Sequence, residues 1–203
     1  MLRRFVYAVE VVGIRGAGQD RAAVFETNDG VVIVVADGAG GTGSGAVAAQ
    51  GVVDAVRDAA ANASGWSSLL LDLDRSSTRL GGGQTTAVIV SVTGTGIAGA
   101  SGGDSGAWLI RGATVEDLTS GQMRKPLLGA GCMPRTFKAG PLASGVLLVA
   151  TDGLLKYGKQ ADIARIAGSS ELRSASPSLV DLVRLRSGAL KDDVTIVLCR
   201  EAA

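Results

Sequence analysis

The chain has 203 residues and a formal net charge of +1, which fits one domain over residues 1–203 and gives no electrostatic reason to expect nucleic-acid binding. Although 46% of the residues are hydrophobic, charges, glycine or serine interrupt each apolar run before it reaches the length of a membrane span. The absence of histidine excludes Ser-His-Asp catalysis, Cys-His catalysis and histidine-built zinc sites.

Short apolar runs rich in β-branched residues, bounded by glycine-rich turns, predict strands along much of the chain. The predicted strands are Phe5–Ile14, Ala22–Thr27, Val31–Asp37, Thr85–Val92, Gly96–Ser101, Ala107–Arg111, Thr114–Leu118, Val146–Thr151 and Val194–Arg200. Helices are predicted over Ser44–Ala61, Trp66–Leu80, Asp162–Ala167 and Pro177–Ser187. The basic segment Gly121–Pro141 is interpreted as an irregular, solvated loop. Because strands and helices come in blocks, an α+β fold is favoured over a doubly wound parallel sheet.

Two features of the sequence bear on the cellular compartment. The N-terminal apolar run is cut short by Glu10, so we interpret it as a first strand and not as a signal peptide. The two cysteines, Cys132 and Cys199, are too few for a disulfide framework. A reducing cytoplasm is therefore the expected location.

Two of the predicted strands end in an Asp-Gly pair. Val31–Asp37 is an unbroken β-branched run, typical of a strand buried on both faces, and Val146–Thr151 leads into Asp152-Gly153 in the same way. Glycine lets the backbone pass close to a carboxylate at the tip of a strand. Such an arrangement suits a bound cation or a phosphate.

Five aspartates lie at predicted strand ends or turns: Asp20, Asp37, Asp104, Asp152 and Asp192. Taken singly, an aspartate beside glycine is ordinary turn chemistry. Converging carboxylates, however, repel one another at neutral pH unless cations lie between them. In a chain without histidine, such a set is a ligand set for Mg²⁺ or Mn²⁺ and not for zinc.

Six short motifs follow one another along nearly the whole chain. They are Arg15-x-x-x-Gln19-Asp20, Asp37-Gly-x-Gly-Gly41, Gly83-Gln-Thr-Thr-Ala87, Gly103-Asp-Ser-Gly-Ala-Trp-Leu109, Ala150-Thr-Asp-Gly-Leu154 and Asp192-Asp-Val-Thr195. Each alone is weakly specific, but in this order they resemble the metal-dependent protein serine/threonine phosphatases of the protein phosphatase 2C type. The resemblance implies a four-layer αββα sandwich, in which helices flank two central antiparallel β-sheets. It also implies hydrolysis of phosphoserine and phosphothreonine on proteins by a water that bridges two Mn²⁺ or Mg²⁺ ions.

The resemblance assigns metal-binding roles residue by residue. Asp37 would bridge two metal ions, with the Gly38 carbonyl on one of them and Asp152 and Asp192 on the other. Asp20 would lie in the shell around the metals and their waters. Asp37 and Asp152 are accordingly the carboxylates expected to take part in catalysis.

Two further positions extend the implied site. Asp104, together with Asp152, matches the place where bacterial members hold a third, weaker ion. Arg15 falls where the arginine of the family binds the substrate phosphate, and a guanidinium is a permanently charged fork that suits phosphoryl oxygens. Arg15 is therefore the expected catalytic and phosphate-binding cation, although a solvated surface arginine is the simpler alternative. Thr85 and Thr86 are interpreted as strand residues that help to hold the backbone of the site.

The sequence departs from the family pattern in a few places. Ala39 stands where many animal members carry a histidine proposed to protonate the leaving group; bacterial members often lack it. Gln19 replaces a common glutamate, and Asp193 replaces the more usual asparagine, which we interpret as a minor change. The segment between Leu118 and Leu147 is too short for a full flap subdomain. The short chain and the motif without histidine indicate a minimal bacterial-like member.

Two other functions remain open. Gly38–Gly43 matches G-x-G-x-x-G, the dinucleotide-binding pattern, but Asp37 would direct a bare carboxylate at the pyrophosphate and the alternating β-α-β sequel is missing. A regulatory or binding module of the phosphatase fold, with weak or no catalysis, is the second alternative. Retention of Asp37, Asp152 and Asp192 argues against it.

The expected partner is a phosphorylated protein, and a Ser/Thr kinase is expected to act in opposition in bacterial signal transduction. Neither nucleic acid nor a membrane is an expected partner.

Overall fold

The computed structural model describes residues 4–40, 43–62, 65–76, 78–169 and 171–202. The strands within these residues are β1 Phe5–Val12, β2 Arg21–Glu26, β3 Gly30–Ala36, β4 Gly38–Ala39, β5 Gln84–Thr85, β6 Ala87–Thr93, β7 Ile97–Gly102, β8 Gly106–Arg111, β9 Thr114–Asp117, β10 Arg135–Ala139, β11 Val146–Ala150 and β12 Val194–Glu201. The α-helices are α1 Ser44–Ala59, α2 Trp66–Arg75, α3 Asp152–Leu155, α4 Gln160–Ala167 and α5 Leu172–Leu182, and a 3₁₀ turn, Ala60–Asn62, extends α1. None of the described helices is both long and apolar enough to cross a membrane.

Two five-stranded sheets, antiparallel throughout, form the centre of the molecule. One has the strand order β1-β12-β11-β8-β9 and the other has the order β10-β7-β6-β3-β2. A small ribbon of β4 and β5 extends beyond the second sheet and pairs Gly38 with Thr85. Since β4 follows directly after Asp37, this ribbon holds the chain close to the end of β3.

The two-residue period of the strands divides the apolar side chains into separate layers. In β3, Ile33 and Val35 belong to an apolar cluster that both sheets share, whereas Val32 and Val34 pack in a cluster with α1 and α2. A third cluster joins the first sheet to α4 and α5. Helices therefore cover the outer faces of two stacked sheets, and the predicted α+β, four-layer αββα sandwich is confirmed.

The prediction of an irregular loop over Gly121–Pro141 is wrong for the second half of the segment. Residues 135–139 form β10, an edge strand that pairs with β7. The sequence Arg-Thr-Phe-Lys-Ala exposes Arg135 and Lys138. An edge strand with charged, solvated positions lacks the apolar run that identifies a buried strand. The rest of the segment consists mainly of turns.

The boundaries of α2 and α5 differ from the prediction. Helix α5 begins at Leu172, so that Pro177 lies inside the helix and not at its start. Leu172, Ala175 and Leu179 are buried on one face of α5, and this burial outweighs the hydrogen bond that proline removes. Helix α2 ends at Arg75, before the predicted Leu80. The four-residue α3 was missed because so short a helix has no periodic pattern.

Candidate active site

Carboxylates from separate parts of the chain meet where strands of both sheets end. The carboxylates of Asp20 and Asp37 interact electrostatically. Asp37 also interacts electrostatically with Asp152 and Asp192, and Asp152 interacts with Asp192 and Asp104. All five aspartates singled out in the sequence therefore belong to one electrostatic cluster.

These carboxylates interact with one another in pairs. Among the residues that the structure describes, no group of three or more His, Cys, Asp and Glu side chains has the spacing of a metal-binding cluster. Asp37, Asp104, Asp152 and Asp192 are all partly exposed to solvent, whereas Asp20 is buried. The cluster is thus open towards solvent on one side and closed on the other.

Two threonines hold the backbone of Asp37. The amide of Asp37 donates to Thr86 Oγ1 at 2.9 Å, and the Asp37 carbonyl accepts from the Thr86 amide and from Thr85 Oγ1, both at 2.8 Å. Thr86 Oγ1 also lies 2.6 Å from Ser105 Oγ, next to Asp104. The prediction that Thr85 and Thr86 hold the backbone of the site is confirmed.

Asp20 has only 1% of its surface exposed. Thr151 Oγ1 donates to Asp20 Oδ2 at 2.9 Å and itself accepts from the Thr195 amide at 3.0 Å. Asp20 Oδ1 and Gln19 Oε1 are buried acceptors without a donor among the described residues. Buried oxygens without donors cost free energy unless a cation or water satisfies them. Because these donors are all oxygen atoms, their chemistry suits a hard divalent cation such as Mg²⁺ or Mn²⁺.

The crowding of carboxylates changes their acidity. Burial, reinforced by repulsion from Asp20, Asp152 and Asp192, raises the pKa of Asp37 to about 8. Burial also raises the pKa of Asp20 to about 6, although the hydrogen bond from the Thr151 hydroxyl opposes the shift. The pKa of Asp152 is raised by burial first and then by Asp104 and Asp192. Each shift indicates a place where added positive charge would be stabilising.

We expect the metal-free protein to lose stability as the pH rises from about 4 towards 8. An unfolded aspartate titrates at its ordinary pKa of 3.8, whereas Asp37 in the fold titrates at about 8. Between these values the folded state binds more protons than the unfolded state, so a rising pH favours unfolding. Thermal unfolding in EDTA at about pH 5 and about pH 8 measures this loss, and Mn²⁺ should reverse it at the higher pH. A metal-free protein that becomes more stable over this range would contradict the expectation.

Glycines allow the segments of the site to pack backbone against backbone. A Cβ on Gly153 would overlap the carbonyl oxygen of Asp193, so the turn after Asp152 presses directly on the turn before β12. A Cβ on Gly38 would likewise overlap the Gly45 carbonyl in the first turn of α1. The Asp-Gly pairs are thus explained by close backbone contact beside each carboxylate.

Asp104 and Asp152 line one side of a pocket of about 220 Å³ beside the cluster. Arg124 and Lys156 line the same pocket, so it contains charges of both signs. Lys156 Nζ lies 3.7 Å from Asp152 Oδ2, one helical turn away. The ammonium group therefore offsets part of the negative charge on Asp152.

Arg15 lies in the loop 13–20, which joins β1 to β2 and ends at Asp20. Its side chain is exposed, and its guanidinium makes no hydrogen bond or ion pair with a described residue. The loop itself is held by Asp193: the amide of Ile14 donates to Oδ1 at 2.7 Å and the amide of Gln19 donates to Oδ2 at 2.6 Å. Asp193, which the sequence indicates only as a minor replacement, therefore makes two long-range contacts in the structure. Nothing in the sequence connects it to a loop that lies 174–179 positions away.

The dinucleotide-binding alternative finds no support in the fold. The strand that precedes the glycine-rich stretch is β3, whose neighbours β2 and β6 are both antiparallel to it. The described strands pair only in antiparallel fashion, and a dinucleotide-binding unit requires parallel strands joined by a helix. Residues 41–42 of the glycine-rich stretch lie outside the described residues.

Solved structures of bacterial serine/threonine phosphatases share this fold. The S. agalactiae serine/threonine phosphatase superposes with a TM-score of 0.82 at 24% identity, covering 97% of this chain and 99% of that chain. The catalytic domain of the phosphatase PstP, in complex with two manganese ions, gives 0.75 at 21% identity, covering 98% and 99%. PppA, a regulatory component of the type VI secretion system (T6SS) in Pseudomonas aeruginosa, gives 0.78 at 20% identity, covering 98% of both chains. No protein-family model and no curated protein sequence matches the chain.

Proposed function

We propose that the protein is a metal-dependent phosphatase that hydrolyses phosphoserine and phosphothreonine in proteins. One observation carries the proposal: Asp20, Asp37, Asp152 and Asp192 come together, from distant parts of the chain, at one cluster of interacting carboxylates. The fold shared with bacterial serine/threonine phosphatases supports it. The role of each residue is inferred from this geometry and from the order of motifs along the chain.

The cofactors would be two Mn²⁺ or Mg²⁺ ions, a number supported by the two manganese ions of the PstP neighbour. Asp37, the Gly38 carbonyl, Asp152 and Asp192 would hold them, with Asp20 close by. When bound, the ions would supply the positive charge that acidifies an attacking water and neutralises the phosphoryl oxygens. Without such charge the cluster is electrostatically unfavourable, since burial and mutual repulsion raise the pKa of Asp37.

Asp104 and Asp152 would hold a third ion, and we expect it to bind more weakly than the first two. The Lys156 ammonium already lies 3.7 Å from Asp152 Oδ2, and a cation at this place would have to compete with it. Occupancy of this position is therefore expected only at high metal concentration.

Arg15 would bind the phosphate group of the substrate. Arg15 is exposed and lies on the loop that ends at Asp20. Two parallel N–H donors can engage two phosphoryl oxygens at once, which orients the phosphate as well as stabilising its charge.

Ala39 offers no proton to the leaving oxygen, so that proton would come from water.

The substrate would be a phosphorylated protein, with a Ser/Thr kinase acting in opposition in the bacterial cytoplasm. The candidate site is open to solvent along Asp37, Asp152 and Asp192, as required for a side chain presented by another protein. Which substrate residues are preferred next to the phosphorylated side chain would depend on the surface around the pocket that contains Arg124 and Lys156.

The proposal is tested by phosphate release from a phosphothreonine peptide and from p-nitrophenyl phosphate, with and without Mn²⁺. We expect turnover of both compounds that EDTA abolishes and that added Mn²⁺ restores. Metal binding measured by isothermal titration calorimetry, without turnover of either compound, would contradict the proposal. That result would favour a regulatory or binding module of the same fold.

A further inference from the structure

Asp193 connects the Arg15 loop to the turn that carries Asp192. The amide of Ile14 donates to one carboxylate oxygen at 2.7 Å, and the amide of Gln19 donates to the other at 2.6 Å. One side chain thus holds the stretch 14–19 at both ends, and Arg15 lies between the two contacts. Hydrogen bonds to an ionised carboxylate are shorter and about twice as strong as those between neutral groups.

The backbone between these contacts is folded tightly onto Asp193. Gly18 has a φ of +63° and donates its amide to the Arg15 carbonyl at 3.3 Å. A Cβ at Gly18 would overlap the carboxylate of Asp193, so glycine is required for both the backbone conformation and the space. The turn that carries Arg15 is therefore closed against the Asp193 side chain.

Asp193 is itself anchored within the carboxylate cluster. Its amide donates to Asp192 Oδ1 at 3.1 Å. Its carbonyl oxygen packs against Gly153, directly after Asp152. The residue consequently contacts the segments of two proposed metal ligands through its backbone, and the Arg15 loop through its side chain.

We propose that Asp193 is a positioning residue that holds the backbone carrying Arg15 in place relative to the proposed metal ligands. This inference rests on the proposed function, in which Arg15 binds the phosphate. Only a carboxylate can accept from both amides with its two oxygens. In Asp193→Asn, one oxygen is replaced by an NH₂ group, which would face an amide N–H and make no hydrogen bond with it. One end of the loop would be released, and the backbone that carries Arg15 would no longer be held on both sides of that residue.

The test is a double-mutant cycle of Asp193→Asn and Arg15→Ala. The KM and kcat for p-nitrophenyl phosphate are measured at saturating Mn²⁺. We expect Asp193→Asn to raise KM about tenfold with a smaller change in kcat, because the phosphate loses a positioned partner. In the Arg15→Ala background, the same change should alter kcat/KM by less than about twofold, since its effect acts through the arginine.

Asp74→Asn is the matched control. Asp74 Oδ1 also accepts backbone N–H donors, from Gly129, Gly131 and Cys132 at 2.8–3.1 Å, but it holds a loop with no proposed part in phosphate binding. The control should lower the melting temperature without raising KM. An unchanged KM in Asp193→Asn, or effects that add fully in the double mutant, would overturn the inference.

A second measurement needs no substitution. In the wild-type protein, the amides of Ile14 and Gln19 should exchange their hydrogens slowly although they lie in a loop, because Asp193 accepts both. Free exchange of either amide would overturn the inference even if Asp193→Asn cannot be purified. A wild-type protein without Mn²⁺-dependent turnover would instead overturn the proposed function. An active protein with an additive cycle would overturn only the role of Asp193.

Discussion

Asp37→Asn and Asp152→Asn are each expected to reduce Mn²⁺-dependent hydrolysis of p-nitrophenyl phosphate by about 1,000-fold or more. A bound metal ion supplies several kcal/mol of transition-state stabilisation, and each 1.36 kcal/mol corresponds to a factor of ten in rate. The amide of asparagine keeps the shape of the side chain but removes its negative charge. Calorimetric titration with Mn²⁺ should show a parallel loss of affinity.

Asp37→Asn should, in contrast, increase the stability of the metal-free protein. Burial and three neighbouring carboxylates make the charged form of Asp37 unfavourable, which is why its pKa is raised to about 8. At about pH 9, where wild-type Asp37 is mostly ionised, Asp37→Asn should unfold at a higher temperature than the wild type in EDTA. Loss of activity together with a gain in metal-free stability distinguishes removal of a ligand from damage to the fold.

Asp181→Asn provides a control for these two variants. Asp181 is exposed near the end of α5 and pairs with Arg184 at 2.9 Å, outside the carboxylate cluster. Its substitution should leave both activity and Mn²⁺ affinity unchanged, because an exposed ion pair contributes little. Retention of full Mn²⁺-dependent activity in Asp37→Asn or Asp152→Asn would contradict the assignment of the metal site.

Arg15→Ala should lower kcat/KM for p-nitrophenyl phosphate by about 100-fold, because it removes a charged, two-pronged contact to the phosphoryl oxygens. Arg15→Lys should recover part of the loss, since lysine keeps the charge but not the paired donors. Binding of Mn²⁺ should be unchanged in both variants, because Arg15 makes no contact with the carboxylates. Competition by inorganic phosphate gives an independent measure: its inhibition constant should rise in Arg15→Ala.

Arg57→Ala is the matched control for Arg15→Ala. Arg57 is an exposed arginine on α1 that pairs with Asp54 at 3.0 Å and Asp58 at 3.5 Å. It has no proposed contact with substrate, so its variant should keep the wild-type kcat/KM. If Arg15→Ala and Arg57→Ala behave alike, Arg15 is a solvated surface residue and another group must bind the phosphate.

The buried strands were predictable because their composition reflects their surroundings. β3 is apolar and β-branched along nearly its whole length, since one face packs between the sheets and the other packs on α1 and α2. β10 was not predictable, because it lies at the edge of a sheet and exposes Arg135 and Lys138. The limits of α5 were also missed, since burial of Leu172 and Leu179 prevails over the local effect of Pro177.

For the site, residue types alone narrowed the range of possible chemistry. With no histidine in the chain, any hydrolytic chemistry must rely on carboxylates, lysine, arginine or an oxygen-ligated metal ion. Which carboxylates meet, and how closely, was decided only by the tertiary structure. Electrostatic repulsion and hydrogen bonding act over a few ångströms of space and are indifferent to separation along the chain. For this reason the raised pKa of Asp37 and the contact of Asp193 with Ile14, 179 positions away, exist only in the folded molecule.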